Sequence, residues 1–275
     1  MDFKSEVLSG TLSISFSQPG KMNPLSIDGF KALAHCIRSA SENPDVDAII
    51  LTGEGEAFCA GLNLASFLKA VDRNPDGSIS KSALEDVFDE GATAVVMALQ
   101  ESAKPTIAAI NGVAAGAGAG IALSCDVVVA AENATINLPF VPALGVCPDC
   151  GLTWVLPRLL GRGRALPIML LGEPISAKMA ENCGLIWKTV APEKLHAEAM
   201  GLAKRLADGP TAVYRDIRRA VDSASSNTVE AQLNVEKTLN VRFLRSAEFE
   251  EGVQAFIDKR RPNFNMVRPL DSADN

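Results

Sequence analysis

Asn111-Gly112-Val113-Ala114-Ala115-Gly116-Ala117-Gly118-Ala119-Gly120-Ile121-Ala122-Leu123 follows a short apolar strand, Thr106-Ile107-Ala108-Ala109-Ile110. The stretch is small, glycine-rich and helix-compatible, and it carries no acid, base or nucleophile. It offers bare backbone N–H groups at a helix start, unshielded by Cβ bulk, where negative charge is favoured. That composition suits an oxyanion hole or a phosphate cradle, and equally the close packing of a helix on a sheet. Outward from it the chain alternates strand and helix. Strands are expected at 7–17, 48–53, 106–110 and 126–131, with helices at 27–42, 82–100 and 116–124. Ser26 and Asp28 are candidate caps for the first helix. The class is α/β.

The chain has 275 residues, 47% of them hydrophobic, enough for one large core or a core with an appendage. A net charge of −7 excludes a nucleic-acid scaffold and a polybasic membrane binder. No apolar run is long enough to span a bilayer, and Met1-Asp2-Phe3-Lys4-Ser5-Glu6 does not read as a signal peptide. Six cysteines without a secretory signal read as reduced thiols. The expected location is the cytoplasm or an organelle matrix. From about 195 onward the strand pattern stops, and helices are expected at 193–206, 211–224, 228–245 and 249–259. The division expected is therefore an α/β core at 1–195 and a helical region at 196–275. Leu233, Leu239, Phe243 and Leu244 in the latter suggest self-association.

Two other stretches lie between the strands. Glu56-Ala57-Phe58-Cys59-Ala60-Gly61-Leu62-Asn63-Leu64 is a second strand-to-loop turn of small residues, and 72–78 is a polar breaker that reads as the most mobile loop. Leu84, Val87 and Phe88 form a helical stripe best read as core packing, with acyl-pocket lining as the alternative.

Few side chains can do chemistry. Cys147-Pro148-Asp149-Cys150 has redox or zinc spacing, but no second ligand pair accompanies it, and His35 and His196 lie in unrelated helices. No Gly-x-Ser-x-Gly elbow occurs, and the glycine tract is not a Gly-x-Gly-x-x-Gly fingerprint. Between Gly112 and Arg158 the carboxylates are Asp126, Glu132 and Asp149. Asp126 enters a strand and Glu132 sits in a polar turn. Asp149 follows the apolar Leu144-Gly145-Val146, surroundings that raise a carboxyl pKa and suit a proton shuttle. Its alternative is an N-cap for a helix starting near Thr153.

These blocks resemble the crotonase (enoyl-CoA hydratase/isomerase) superfamily over about 250 residues. Carrying the resemblance, in order, are Asn23-Pro24-Leu25, Ala57-Phe58-Cys59-Ala60-Gly61, Lys104-Pro105-Thr106 through Gly112 with the glycine tract, Cys125-Asp126, and Glu251-Gly252-Val253 through Lys259-Arg260. The block from Pro148-Asp149-Cys150-Gly151 to Pro157-Arg158 looks most like the ring-epoxide isomerase branch of phenylacetyl-CoA degradation. The resemblance implies a spiral of ββα repeats, a C-terminal trimerisation region, and a homotrimer or dimer of trimers. It implies an acyl-CoA substrate and no cofactor, coenzyme A being part of that substrate. The N–H groups of Leu62 and Ala117 would form the oxyanion hole, Ala60 and Leu62 would border the adenine, and Lys21 would meet the CoA phosphates. Lys259 would reach a neighbour's CoA.

The departures from the family pattern bear on the reaction. The two glutamates of family hydratases fall here at Gly120 and at Phe140 or Val141, leaving Asp149 at the position of the isomerases' single acid. An acyl-CoA isomerase is therefore expected, moving an enoyl double bond or rearranging a ring-type acyl group. A hydratase and a catalytically lapsed acyl-CoA-binding protein are the alternatives. Asn63 stands where the family usually has Asp. Leu152 stands where near relatives have Gly, a change expected to narrow the pocket beside Asp149.

Overall fold

The computed structural model describes residues 2–267. It opens with a hairpin, β1 (Phe3–Leu8) and β2 (Thr11–Phe16), joined at Ser9 and Gly10. Both turn residues have positive φ, 51° and 76°, as a two-residue hairpin turn requires. Helix α1 (Ile27–Glu42) is capped by Ser26, whose Oγ accepts the Gly29 N–H at 3.0 Å. Its Phe30, Leu33, Ala34 and Ile37 recur at helical spacing and are all buried.

The spiral follows. Strands β3 (Ala48–Gly53) and β4 (Ala57–Cys59) lead to α2 (Leu64–Ala70), α3 (Lys81–Val87) and α4 (Thr93–Glu101). The next turn is β5 (Thr106–Ile110), β6 (Val113–Ala115) and α5 (Ala117–Leu123). After it come β7 (Val127–Ala131), β8 (Thr135–Asn137), α6 (Leu152–Leu160) and α7 (Arg162–Leu171). Then β9 (Ile175–Ser176), α8 (Ala177–Asn182) and β10 (Lys188–Val190) complete the sheets. In each turn the first strand joins a six-stranded sheet, order β1-β2-β3-β5-β7-β10, and the second a four-stranded sheet, order β4-β6-β8-β9. Neighbours are parallel except at β1–β2 and β8–β9. The inner strands β3 and β5 are nearly continuous apolar runs because both faces are covered.

The last four helices are α9 (Leu195–Ala207), α10 (Thr211–Ala224), α11 (Val229–Phe243) and α12 (Ala247–Ile257). Helix α9 lies on β3, β5 and β7 and puts Leu195, Ala199 and Ala203 into the main core. Helix α9 thus packs with the α/β body, and the Asp208-Gly209-Pro210 break follows it. Beyond it α11 buries none of its residues, and Leu233 and Leu244 are exposed.

Arg218 on α10 ties this outer layer to the body. Its guanidinium donates to both carboxylate oxygens of Asp126 at 2.7 Å, and to the carbonyls of Gln100 at 2.9 Å and Ser102 at 2.8 Å. Asp126 also accepts the N–H of Thr106 at 2.8 Å and its hydroxyl at 3.0 Å, so its structural reading holds.

Two expectations change in the 81–101 region. The single helix expected is interrupted by a wide turn at Phe88–Ala92, where Gly91 adopts φ −103° and ψ −107°, outside helical geometry. The stripe of Leu84, Val87 and Phe88 is not core: the first two are only half-buried and Phe88 is exposed. Its acids face solvent, with Glu85 paired to Lys81 and Glu90 to Lys31.

Candidate functional site

The parallel pairing of β4 with β6, and of β6 with β8, brings three strand ends together in consecutive turns of the spiral. Ligands of parallel sheets gather at such carboxyl ends. The chain leaving β4 carries Gly61 and Leu62, that leaving β6 carries Gly116 and Ala117, and that leaving β8 carries Phe140.

The first two exits meet closely. A Cβ built on Gly61 would lie 2.9 Å from both the Ala115 carbonyl oxygen and the Ala117 nitrogen, and Gly61 has φ 87°. Only glycine permits both the conformation and the approach. Leu25 runs alongside: its N–H donates to Gly61 O at 2.8 Å, and its carbonyl accepts from Asn63 N at 2.7 Å. With the groups on either side of Leu62 turned to Leu25, the Leu62 N–H points the opposite way. Gly116, at φ 55° and ψ −126°, turns the chain into α5 and leaves Ala117 at its first position. Among the described residues neither the Leu62 nor the Ala117 N–H has a hydrogen-bond acceptor. The Ala117 N–H also lies at the positive end of α5.

The rest of the glycine tract packs closely. A Cβ at Gly118 would lie 2.8 Å from the Cys59 carbonyl carbon. One at Gly120 would lie 2.8 Å from the Cys150 carbonyl oxygen, and closer still to the Cys150 Cβ. Close packing along α5 is thus realised, and at its start the Ala117 N–H is left without an acceptor among the described residues.

Asp149 is held on the segment that covers Gly120. Cys150 and Gly151 have successive positive φ values, 50° and 75°, and this double bend presses Cys150 onto α5. Gly151 faces Val96 of α4. Asp149 is half-buried, and its Oδ1 is fully buried with no hydrogen-bond partner. Burial raises the Asp149 carboxyl above its ordinary value of 3.8. Gly120 is three residues from Ala117, so the Asp149 segment lies about 4.5 Å further along the α5 axis.

The cap reading of Asp149 fails. Helix α6 begins at Leu152 behind Gly151, no side chain caps it, and Asp149 contributes only its backbone carbonyl to Leu152 N–H at 3.0 Å. Leu152 is fully buried in the core. Asn63 caps α2, its Oδ1 accepting Ser66 N–H at 3.1 Å. Phe140 is buried, its ring tip 3.9 Å from where a Gly116 Cβ would stand.

The thiols are poor candidates for chemistry. Burial pushes Cys59 up to about 12 and raises Cys150 strongly, so neither forms a thiolate near neutral pH. Cys147 is exposed, and no group of three or more metal-ligating side chains converges among the described residues. Ala60 donates its N–H to Met22 O at 2.9 Å, which sets the loop carrying Lys21 beside it. Lys21 is exposed, as is Lys259 just past α12 at φ 54°. Reading the sequence missed Asn23 and Asn111 as site-building side chains, although both stand in the quoted blocks. Nothing in the sequence says which backbone groups they bind.

The family model described as enoyl-CoA hydratase/isomerase matches residues 6–267. A 1,2-epoxyphenylacetyl-CoA isomerase of Escherichia coli (strain K12) is 38% identical over 260 residues, covering 94% of this chain and 97% of that protein. A probable enoyl-CoA hydratase of Rhodobacter capsulatus is 37% identical, covering 94% and 96%. The crystal structure of a putative enoyl-CoA hydratase from Streptomyces coelicolor A3(2) superposes with a TM-score of 0.88 at 28% identity, covering 96% of this chain and 94% of that one. The spiral fold and these full-length matches agree: the chain belongs to the enoyl-CoA hydratase/isomerase family.

Proposed function

We propose that this chain is an acyl-CoA isomerase working with one carboxylate. The thioester oxygen sits between the N–H groups of Leu62 and Ala117. Asp149 takes a proton from the acyl chain, the electron pair moves onto that oxygen, and the two donors stabilise the enolate. The same carboxyl then returns the proton to a different carbon, and the double bond migrates. A raised pKa brings Asp149 nearer to the balance this exchange needs. Lys21 and the loop of Ala60 and Leu62 bind the CoA portion, with Lys259 contributed to a neighbour. The exposed apolar residues of α11 and α12, Phe256 and Ile257 among them, support a homotrimer or a pair of trimers.

The observation that carries this reading is the closed space over Gly120. With the Cys150 backbone packed there, no acid side chain fits at that position, and buried Phe140 supplies none either. A second carboxylate to activate water is therefore missing. Hydration is the second reading, kept because a relative of nearly equal identity is named a probable enoyl-CoA hydratase. Incubation with 3-enoyl-CoA, 2-enoyl-CoA and ring-type acyl-CoAs, with chromatography of the products, separates the readings. Isomerised product without 3-hydroxyacyl-CoA supports the proposal. Hydration of 2-enoyl-CoA as the dominant reaction overturns it, and binding without turnover points to a lapsed enzyme.

A further inference from the structure

We infer that Asn23 and Asn111 are positioning residues that set the gap between the two N–H donors, an inference that rests on the oxyanion-hole reading above. The β4–β6 ladder cannot set that gap alone. Ala57 pairs with Val113 and Cys59 with Ala114, so the register slips by a residue between them. Such a bulge leaves backbone groups without ladder partners at the point where the chain heads for Leu62.

Two side-chain amides take over there. Asn23 Nδ2 donates to Ala57 O at 2.8 Å and Glu54 O at 2.9 Å, while its Oδ1 accepts Gln18 N–H at 2.8 Å. Asn111 Nδ2 donates to the same Ala57 O at 3.1 Å and to Gly55 O at 2.9 Å, and its Oδ1 accepts Gly53 N–H at 3.0 Å. Ala57 O is thereby held from both sides. Asn23 is fully buried and sits at φ 55°, a conformation asparagine tolerates better than most residues.

The two anchors belong to different parts of the site. Asn111 follows β5 directly and leads, through β6, to Gly116 and Ala117. Asn23 precedes Leu25, whose backbone holds Gly61 and Asn63 on either side of Leu62. One amide therefore ties the β3–β4 turn to the Ala117 segment, and the other ties it to the strand that orients Leu62. A donor displaced by about 1 Å costs on the order of a hundredfold in rate, because the stabilisation depends on where the oxyanion forms.

The test uses the full-length protein, with Asn111→Ala and Asn111→Asp, since Asn111 is only half-buried, and Asn23→Asp as the second site. Asn→Asp keeps the acceptor and removes the donors to the carbonyls. Two readouts are taken: steady-state kinetics, and the absorption of a bound cinnamoyl-CoA, which moves to the red when its thioester carbonyl is polarised. The expected result is a kcat lowered about 10–100-fold. KM should stay within about threefold, and the red shift should be reduced to less than half. Variants that keep the wild-type shift and kcat overturn the inference, as do variants altered only in KM or thermal stability. A wild-type protein that binds the probe without any shift removes the donor pair itself, and the inference with it.

Discussion

Gly120→Ala is the sharpest structural test, because the same change elsewhere in the chain should have the opposite sign. In a helix interior, glycine to alanine gains up to about 1 kcal/mol from propensity alone. At Gly120 the new methyl would stand 2.8 Å from the Cys150 carbonyl oxygen and closer to its Cβ. Cys150 has little freedom to retreat, being fixed at φ 50° with Gly151 at φ 75° behind it. Overpacking of this kind costs about 1–3 kcal/mol, so once the propensity gain is subtracted the expected net loss reaches about 2 kcal/mol. For a chain of this size each kcal/mol lowers Tm by roughly 2–4 °C. Gly201 on α9 is exposed with nothing within 4 Å of its built Cβ, so Gly201→Ala should stabilise by about 0.5–1 kcal/mol. Thermal and urea unfolding of both variants, run beside turnover assays, give the comparison. Gly120→Ala should also lose turnover, because the displaced Cys150 carries Asp149 with it. A Gly120→Ala protein stabilised like Gly201→Ala, with unchanged turnover, would refute the claim that this space is closed to an acid.

Asp149→Asn should lower turnover about 10²–10⁴-fold while acyl-CoA affinity stays near wild type, as isothermal titration would show. It should also raise stability at neutral pH. The folded carboxyl titrates above its ordinary 3.8, so its ionised form is the costly one in the fold. The stability gained by Asp149→Asn should be complete above the raised pKa and vanish below 3.8, which unfolding curves at pH 3.5 and 7 can compare. Arg218→Ala leaves Asp126 without its main partner and should destabilise the docking of α10 by about 3 kcal/mol, read in urea unfolding as a separate early transition. Light scattering at micromolar concentration should give a mass three or six times that of the chain; a clean monomer would remove the assembly proposal.

Part of the candidate site was legible because it is compositional: a glycine tract after a strand announces close backbone approach and unpaired N–H groups. The raised pKa of Asp149 was expected for the wrong reason, since Leu144 and Val146 are exposed and it is burial of the carboxyl itself that raises it. What could not be read were the meetings across sequence. Cys150 lands on Gly120 only because two left-handed residues bend the chain there, and a left-handed cysteine has no signature. The Leu84, Val87 and Phe88 stripe shows the converse limit. Helical period says which residues share a face, not whether another element covers it. The packing of helix α9 on β3, β5 and β7 was not legible for the same reason, since an amphipathic helix looks alike on a sheet or in an appendage.

In the proposed mechanism a single carboxylate moves a proton and adds no water. The most direct test of this mechanism is turnover of 3-enoyl-CoA in ¹⁸O-labelled water by the wild-type protein and Asp149→Asn, with the acyl products resolved by mass spectrometry. The expected result is a 2-enoyl product of unchanged mass from the wild type and almost none from the variant. A 3-hydroxyacyl product carrying ¹⁸O as the main species, or equal isomerisation by both proteins, would contradict it.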